Sequence, residues 1–182
     1  MEKLNFFTKQ IKDIPEGKLE LPCHQGDVGY DVYAASSPKI VGEIYQGYLF
    51  KNISYIEYET NITIKPSQDE YGDYQFYSTV FPRSSISKYN LSICNSVGVI
   101  DSGYEDTIKI RFNYLSQPEN FSILESKHLL LGVDSSKIYQ KGDKIAQIIF
   151  FKQFHPRVQD LGNSKKSTGR KKGGFGSTGK WL

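Results

Sequence analysis

In the stretch Thr107-Ile-Lys-Ile-Arg-Phe-Asn-Tyr114, apolar and polar residues alternate without a break. Ile108, Ile110, Phe112 and Tyr114 fall on one side of a pleated strand, and Thr107, Lys109, Arg111 and Asn113 on the other. This period of two is that of a strand with one buried face. Less regular runs of the same kind surround it, at 28–34, 44–50, 53–64, 74–81, 91–100, 121–124, 128–133 and 145–154. Turn chemistry at Lys65-Pro-Ser67, Asp101-Ser-Gly103 and Lys141-Gly-Asp143 separates several of them. So many short strands at close spacing predict an all-β, jelly-roll-like barrel or sandwich. One short helix is expected at 84–90, with a serine placed to cap it.

The rest of the composition agrees. With 13 Tyr and 11 Phe against one Met and one Trp, the chain favours sheet over helix. Its 182 residues are one domain's worth and enough to bury a core. No apolar run approaches the roughly 18 residues of a membrane span, and the start, Met1-Glu-Lys-Leu-Asn5, has no apolar signal segment. A soluble intracellular protein of the cytoplasm or nucleus is expected. Cys23 and Cys94 lie far apart and in no metal-type spacing, so neither a disulfide framework nor a zinc site is predicted, and a reduced compartment fits. His24, His128 and His155 show no metal-type spacing either.

Charge is unevenly placed. The net charge is +3, yet no acid follows Asp160, and Lys165, Lys166, Arg170, Lys171, Lys172 and Lys180 crowd the last stretch. The basicity is therefore a tail rather than a folded face, which argues against a nucleic-acid surface and for an arm that meets a phosphate-bearing small molecule. From Gly162 onward Gly, Ser, Thr and Lys dominate, so residues 1–161 are expected to form a β core and 162–182 a mobile C-terminal arm. The Tyr-rich region 42–77 reads as extra strands or a long hairpin.

Several segments carry candidate chemistry, each with an ordinary reading beside it. Gly173-Gly-Phe-Gly-Ser-Thr-Gly179 offers glycines, two hydroxyls and the neighbouring Arg170 as a phosphate cradle, with Phe175 free to cover a base. A plain Gly/Ser tail is the alternative. Gly174 to Lys180 matches a P-loop up to its lysine, but Trp181 replaces the hydroxyl residue and no helix can follow in this sequence, so that motif is rejected. Asp101, at a turn between two strands, is a candidate general base or an Asx-turn residue. In Pro82-Arg-Ser-Ser-Ile86, Arg83, Ser84 and Ser85 sit at the start of the short helix, where an anion or a simple cap would fit. Asp31 interrupts an apolar strand, and a buried-facing acid needs a partner. Gln147 is an amide inside a strand.

Taken in order, these segments resemble the five motifs of the trimeric, all-β dUTPase (deoxyuridine triphosphate nucleotidohydrolase) family. The first is Gly29-Tyr-Asp-Val-Tyr-Ala-Ala35, the second Pro82-Arg-Ser-Ser-Ile-Ser87 and the third Gly98-Val-Ile-Asp-Ser-Gly-Tyr104. The fourth is Gly142-Asp-Lys-Ile-Ala-Gln-Ile-Ile149, and the fifth is Arg170 with the segment 173–179. The resemblance implies a homotrimer that hydrolyses dUTP to dUMP and pyrophosphate with Mg2+. It further implies that Asp101 activates the water attacking the α-phosphate and that Asp31 holds the hydrated magnesium. Arg83, Ser84, Ser85 and Gln147 are then expected on phosphate oxygens, and Arg170, Gly176, Ser177 and Thr178 on the arm that closes the site, with Phe175 over the uracil. Asn95, Gly98, Val99 and Ile100 belong to the hairpin that reads the base, Tyr104 lies under the deoxyribose, and Lys109 joins the substrate-binding set.

Nothing in the resemblance implies a nucleic-acid or membrane partner. Two other readings share the pattern in part. A dCTP deaminase-type relative would lack the Gly-rich arm with its Phe, and a protein-binding relative would use the fold without turnover. The departures are Glu105-Asp106 where the family has Arg-Gly, Lys171 where it has Gly, and long spacings of 52 residues from Asp31 to Arg83 and 46 from Asp101 to Gln147.

Overall fold

The computed structural model describes residues 26–65, 76–123 and 129–154, together with His24 and two short strand segments at 7–8 and 19–20. Its strands are β1 (Phe7–Thr8), β2 (Leu19–Glu20), β3 (Tyr30–Tyr33), β4 (Lys39–Gln46), β5 (Leu49–Glu59), β6 (Ile64–Lys65) and β7 (Phe76–Pro82). These are followed by β8 (Leu91–Ile93), β9 (Gly98–Ile100), β10 (Lys109–Tyr114), β11 (Phe121–Ile123), β12 (Leu129–Leu131) and β13 (Lys144–Lys152). A six-stranded sheet runs β11-β12-β5-β10-β8 with β4 on the other edge of β5, and a five-stranded sheet runs β2-β3-β13-β7-β9. A further two-stranded pairing joins β1 to β6. All pairings among the described residues are antiparallel, as the alternating pattern requires.

The two large sheets share one core. Ile56 and Tyr58 of β5, Ile110 and Phe112 of β10 and Leu91 of β8 cluster with Val32, Val80, Ile145 and Ile148 of the other sheet. Tyr58, Phe112 and Tyr139 pack edge-on or tilted at 5.5–6.4 Å between ring centroids, and the Tyr58 hydroxyl donates to the Tyr139 carbonyl oxygen at 2.8 Å. That hydrogen bond lets a fully buried phenol sit in the core without an unpaired polar atom.

On β10 the expected division of faces is present. Ile108, Ile110 and Phe112 point inward, while Lys109 and Arg111 meet Glu59 and Glu57, their direct cross-strand partners, at 2.8 and 2.7 Å. Arg111 also lies 4.3 Å from the Tyr55 ring centroid, and this cover leaves Glu57 only 5% exposed on the outer side of the sheet.

The structure corrects the sequence reading in four places. The run 53–64 is not one strand: β5 ends at Glu59, no strand covers 60–63, and Ile64 belongs to β6, which pairs with β1 rather than with the sheet of β5. The run 44–50 is not one strand: Gly47, at φ +58, and Tyr48 form a two-residue turn, and the long β4–β5 hairpin begins at Lys39. The run 91–100 is broken at 94–97, with Ser96 at φ +56, so that β8 and β9 belong to different sheets. The helix is a five-residue 3-10 turn, Ser84–Lys88, whose N-cap is Arg83, and no serine side chain caps it. Two more 3-10 turns, Pro118–Asn120 and Ser135–Lys137, had no distinct signal beyond their turn residues. The boundary at 161/162 and the arm beyond it lie outside the described residues.

The β4–β5 hairpin also explains one glycine. The register shifts between Val41 and Gly42, and a Cβ on Gly42 would lie 2.2 Å from the Asn52 carbonyl oxygen. Backbone cannot yield as a flexible side chain does. Gly42→Ala is therefore expected to destabilise the fold by about 1–3 kcal/mol, read as a lower midpoint in urea unfolding. An unchanged midpoint would contradict this close approach.

Candidate functional site

Strand β13 lies between β3 and β7, and its register assembles the largest group of predicted site residues. Gln147 is directly opposite Asp31 on one side and Phe81 on the other, while Lys144 is opposite Tyr33 and Ala146 opposite Pro82. A register shift between Lys144 and Ala146 leaves Ile145 as an extra residue, buried in the core. The outcome is a cluster around one carboxylate. Asp31 Oδ1 lies 2.9 Å from Arg83 Nε and accepts from Gln147 Nε2 at 3.3 Å, and Asp31 Oδ2 lies 3.1 Å from Lys144 Nζ. The sequence flagged Asp31 as an acid in need of a partner, and the structure supplies two cations.

Gly29 makes the crowding possible, since a Cβ there would approach Gln147 Cδ to 3.2 Å. The cluster carries one negative and two positive charges, an arrangement suited to receive an anion. Arg83 is held but not fully used: its buried Nε makes no aligned hydrogen bond despite the close carboxylate. Ser84 and Ser85 follow it on the 3-10 turn, Ser84 exposed and Ser85 half-buried. Five residues of 3-10 helix have no macrodipole to speak of, so an anion there would rely on side chains and a few free N–H groups.

Lys144 was not singled out from the sequence. Its neighbours Gly142 and Gln147 were, but the pairing that brings it to Asp31 is a matter of register, which no local pattern encodes. Its ammonium also lies 5.4 Å from the Tyr33 ring centroid.

The third-motif residues form a second group. The turn after β8 has Val97 N donating to the Asn95 carbonyl at 2.5 Å, and a Cβ on Gly98 would come within 3.0 Å of Asn95 Nδ2. Val99 is exposed, Gly98 buried and Ile100 packed partly against the core. Asp101 is exposed at the turn after β9, where its carbonyl accepts from Tyr104 N at 2.9 Å. Tyr104 donates its hydroxyl to the Thr107 carbonyl at 3.2 Å and lies half-buried. Glu105 is exposed, and Asp106 accepts from Thr107 N at 2.8 Å. Lys109 is paired with Glu59, an ion pair that raises its pKa through the hydrogen bond.

The two groups are not together in one chain. Ile100 is opposite Ser78, which sets Asp101 beside Tyr77, while Arg83 lies six positions further along β7. At about 3.3 Å per residue the gap is ~20 Å, longer than the phosphate chain of a nucleoside triphosphate. Arg170, Phe175, Gly176, Ser177 and Thr178 lie outside the described residues.

A metal has one carboxylate available at the cluster, Asp31, and both of its oxygens already face cations or the amide. Among the described residues no group of three or more His, Cys, Asp or Glu side chains could hold an ion.

No family model matches the chain. Individual relatives do. The deoxyuridine 5'-triphosphate nucleotidohydrolase of Fowlpox virus is 30% identical over 167 residues, which cover 89% of this chain and 91% of the relative. The protein of that name from Wolbachia of Brugia malayi is 29% identical over 97% of this chain and 96% of its own length. Among solved structures, a point mutant of the Staphylococcus bacteriophage 80alpha dUTPase with dUpNHpp aligns with a TM-score of 0.54 at 19% identity, covering 96% of this chain and 98% of that one. A variant of the phage phi11 dUTPase of S. aureus, described with a coordinated structural Mg(II) ion, aligns at 0.54 and 18% identity over 87% and 97%. The structures share the fold, an all-β one, and the viral relative shares nearly its whole length: the chain belongs to the deoxyuridine 5'-triphosphate nucleotidohydrolase (dUTPase) family.

Proposed function

We propose that this chain hydrolyses dUTP to dUMP and pyrophosphate at sites built between subunits, with the Asp31 cluster receiving phosphates and Asp101 activating water. The family supplies the activity, dUTP diphosphatase. The observation that carries the placement is the cluster itself, in which one carboxylate holds Arg83, Lys144 and the Gln147 amide ready for an anion.

In this reading Arg83, Ser84, Ser85 and Gln147 bind phosphate oxygens. Asp101 takes a proton from a water as that water attacks the α-phosphorus. The bond from the α-phosphorus to the bridging oxygen breaks, and pyrophosphate leaves with that oxygen. Asp31 would hold, through water, a magnesium ion arriving with the triphosphate, and that ion would supply charge neutralisation for the leaving pyrophosphate. The hairpin of Asn95, Gly98, Val99 and Ile100 offers backbone N–H and C=O groups to the uracil edge, and Tyr104 packs under the deoxyribose. A base with the wrong edge leaves buried polar atoms unpaired there, which is the basis of rejection. Arg170, Ser177 and Thr178 neutralise the β/γ end from the arm, with Gly176 allowing close approach and Phe175 covering the base.

The ~20 Å between Asp101 and Arg83 in one chain supports a site shared between copies, because a general base acts only within hydrogen-bond reach of its water. A homotrimer, the assembly that the family resemblance implies, satisfies this with Asp101 from one copy and Arg83 from the next.

Asp101→Asn is expected to keep nucleotide binding and to lose roughly 10²- to 10⁴-fold in kcat. Mixing that variant with Arg83→Ala by joint refolding is expected to restore about a quarter of wild-type activity, since random assembly in a closed ring pairs an intact Asp101 with an intact Arg83 at that frequency. No recovery on mixing would contradict the shared site, and wild-type turnover by Asp101→Asn alone would contradict the base.

A chain cut after Gly169 is expected to melt at the wild-type temperature and to lose most of its kcat/KM. Wild-type kinetics from that truncated chain would remove the arm from the site.

A further inference from the structure

The turn that carries Asp101 is loosely packed but tied down by a side chain. Asp101 is exposed, a Cβ on Gly103 would meet nothing within 4 Å, and a small cleft beneath the turn is lined by Tyr77, Ile100, Asp101, Ser102 and Phe150 among others. The strand leading into the turn, β9, makes its last pairing with β7 at Ile100 opposite Ser78. The same register carried two residues further would set Ser102 opposite Phe76, the first residue of β7. The paired strand stops short of that position, and a side chain takes over: the half-buried Ser102 hydroxyl donates to the Phe76 carbonyl oxygen. Gln153 Oε1 is a second acceptor for the same proton, 3.2 Å from Ser102 Oγ. Gln153 directly follows Lys152, the end of β13, and Lys152 is opposite Phe76. One hydroxyl thus joins the Asp101 turn to the ends of β7 and β13.

We propose that Ser102 and Gln153 are positioning residues for Asp101, holding its turn so that the carboxylate meets the attacking water in a fixed place. This rests on the reading of Asp101 as the general base given above. A general base acts only within hydrogen-bond reach of its proton, and a displacement of ~1 Å costs on the order of 10²-fold in rate. A carboxylate on an exposed turn meets that tolerance only if the turn itself is held. Tyr104 closes the far side of the turn, with its N–H on the Asp101 carbonyl oxygen at 2.9 Å and its hydroxyl on the Thr107 carbonyl at 3.2 Å, but both bonds stay within the segment 101–107. The Ser102 hydroxyl reaches out of that segment, to two strands of the sheet that bears the Asp31 cluster. One strand, β13, then sets both ends of the chemistry: its pairing with β3 places Gln147 and Lys144 at Asp31, and the residue after its end holds the Asp101 turn.

The test measures kcat and KM for Mg-dUTP from pyrophosphate release, with the melting temperature of each protein, for Ser102→Ala and Gln153→Ala in the full chain. Each is made alone and combined with Asp101→Asn. Both single variants are expected to melt near the wild-type temperature and to keep KM within about 2-fold, because the groups assigned to phosphates and uracil are untouched. The expected loss in kcat is about 10-fold for Ser102→Ala and about 3-fold for Gln153→Ala, which removes one of two acceptors. In the Asp101→Asn background neither change is expected to lower kcat further, since the base they place is gone. Wild-type kcat from Ser102→Ala or Gln153→Ala, or a loss of the same size with and without Asp101→Asn, would overturn this inference alone. Wild-type turnover by Asp101→Asn itself would instead overturn the reading of Asp101, and this inference with it.

Discussion

The register of β13 between β3 and β7 is the constraint on which the rest depends. It sets Gln147 opposite Asp31, and Lys144 opposite Tyr33, two positions further along β3. On the other edge it sets Ala146 opposite Pro82, which delivers Arg83 to the same corner. A slip by one residue would send Gln147 into the core and Ile148 to the outer face, because side chains alternate along a strand. The buried row of Val32, Val80 and Ile148 therefore fixes the position of the polar row beside it. Packing energy, which is non-directional, is converted into a placement accurate enough for an ion-pair cluster.

That cluster behaves as a store. Asp31 is a carboxylate in a partly buried place, and it is stable there because two cations and an amide surround it. The same cations are held in position for a ligand with more negative charge than Asp31 can offer. Arg83 is only partly satisfied, since its Nε makes no aligned hydrogen bond despite the close carboxylate. At the opposite end of β7, Asp101 lies on an exposed turn beside Tyr77.

The sequence made some of this legible and hid the rest for identifiable reasons. The alternation at 107–114 was strong because β10 is central, with a buried face and a charged face that pairs directly with Glu57 and Glu59. The turn at Gly47-Tyr48 was lost because a bulky Tyr follows the glycine, masking the usual small polar pair. The break at 94–97 was lost because apolar residues lie on both sides of it, and only its passage from one sheet to the other shows that the run is two strands. Asp31, Arg83 and Gln147 were marked by residue type in an unusual setting. Lys144 was not, since a lysine after a turn is unremarkable until strand pairing places it.

The central claim is that the Asp31 cluster receives the phosphates of a nucleotide whose α-phosphate is served by another copy's Asp101. The most direct measurement is a crystal structure of the full chain with magnesium and a non-hydrolysable dUTP analogue. The account predicts Arg83 and Gln147 on phosphate oxygens, Asp101 of a neighbouring copy holding a water in line with the α-phosphorus, and the base against the 95–100 hairpin. An analogue bound wholly within one copy, or one whose phosphates avoid Arg83 and Gln147, would contradict it.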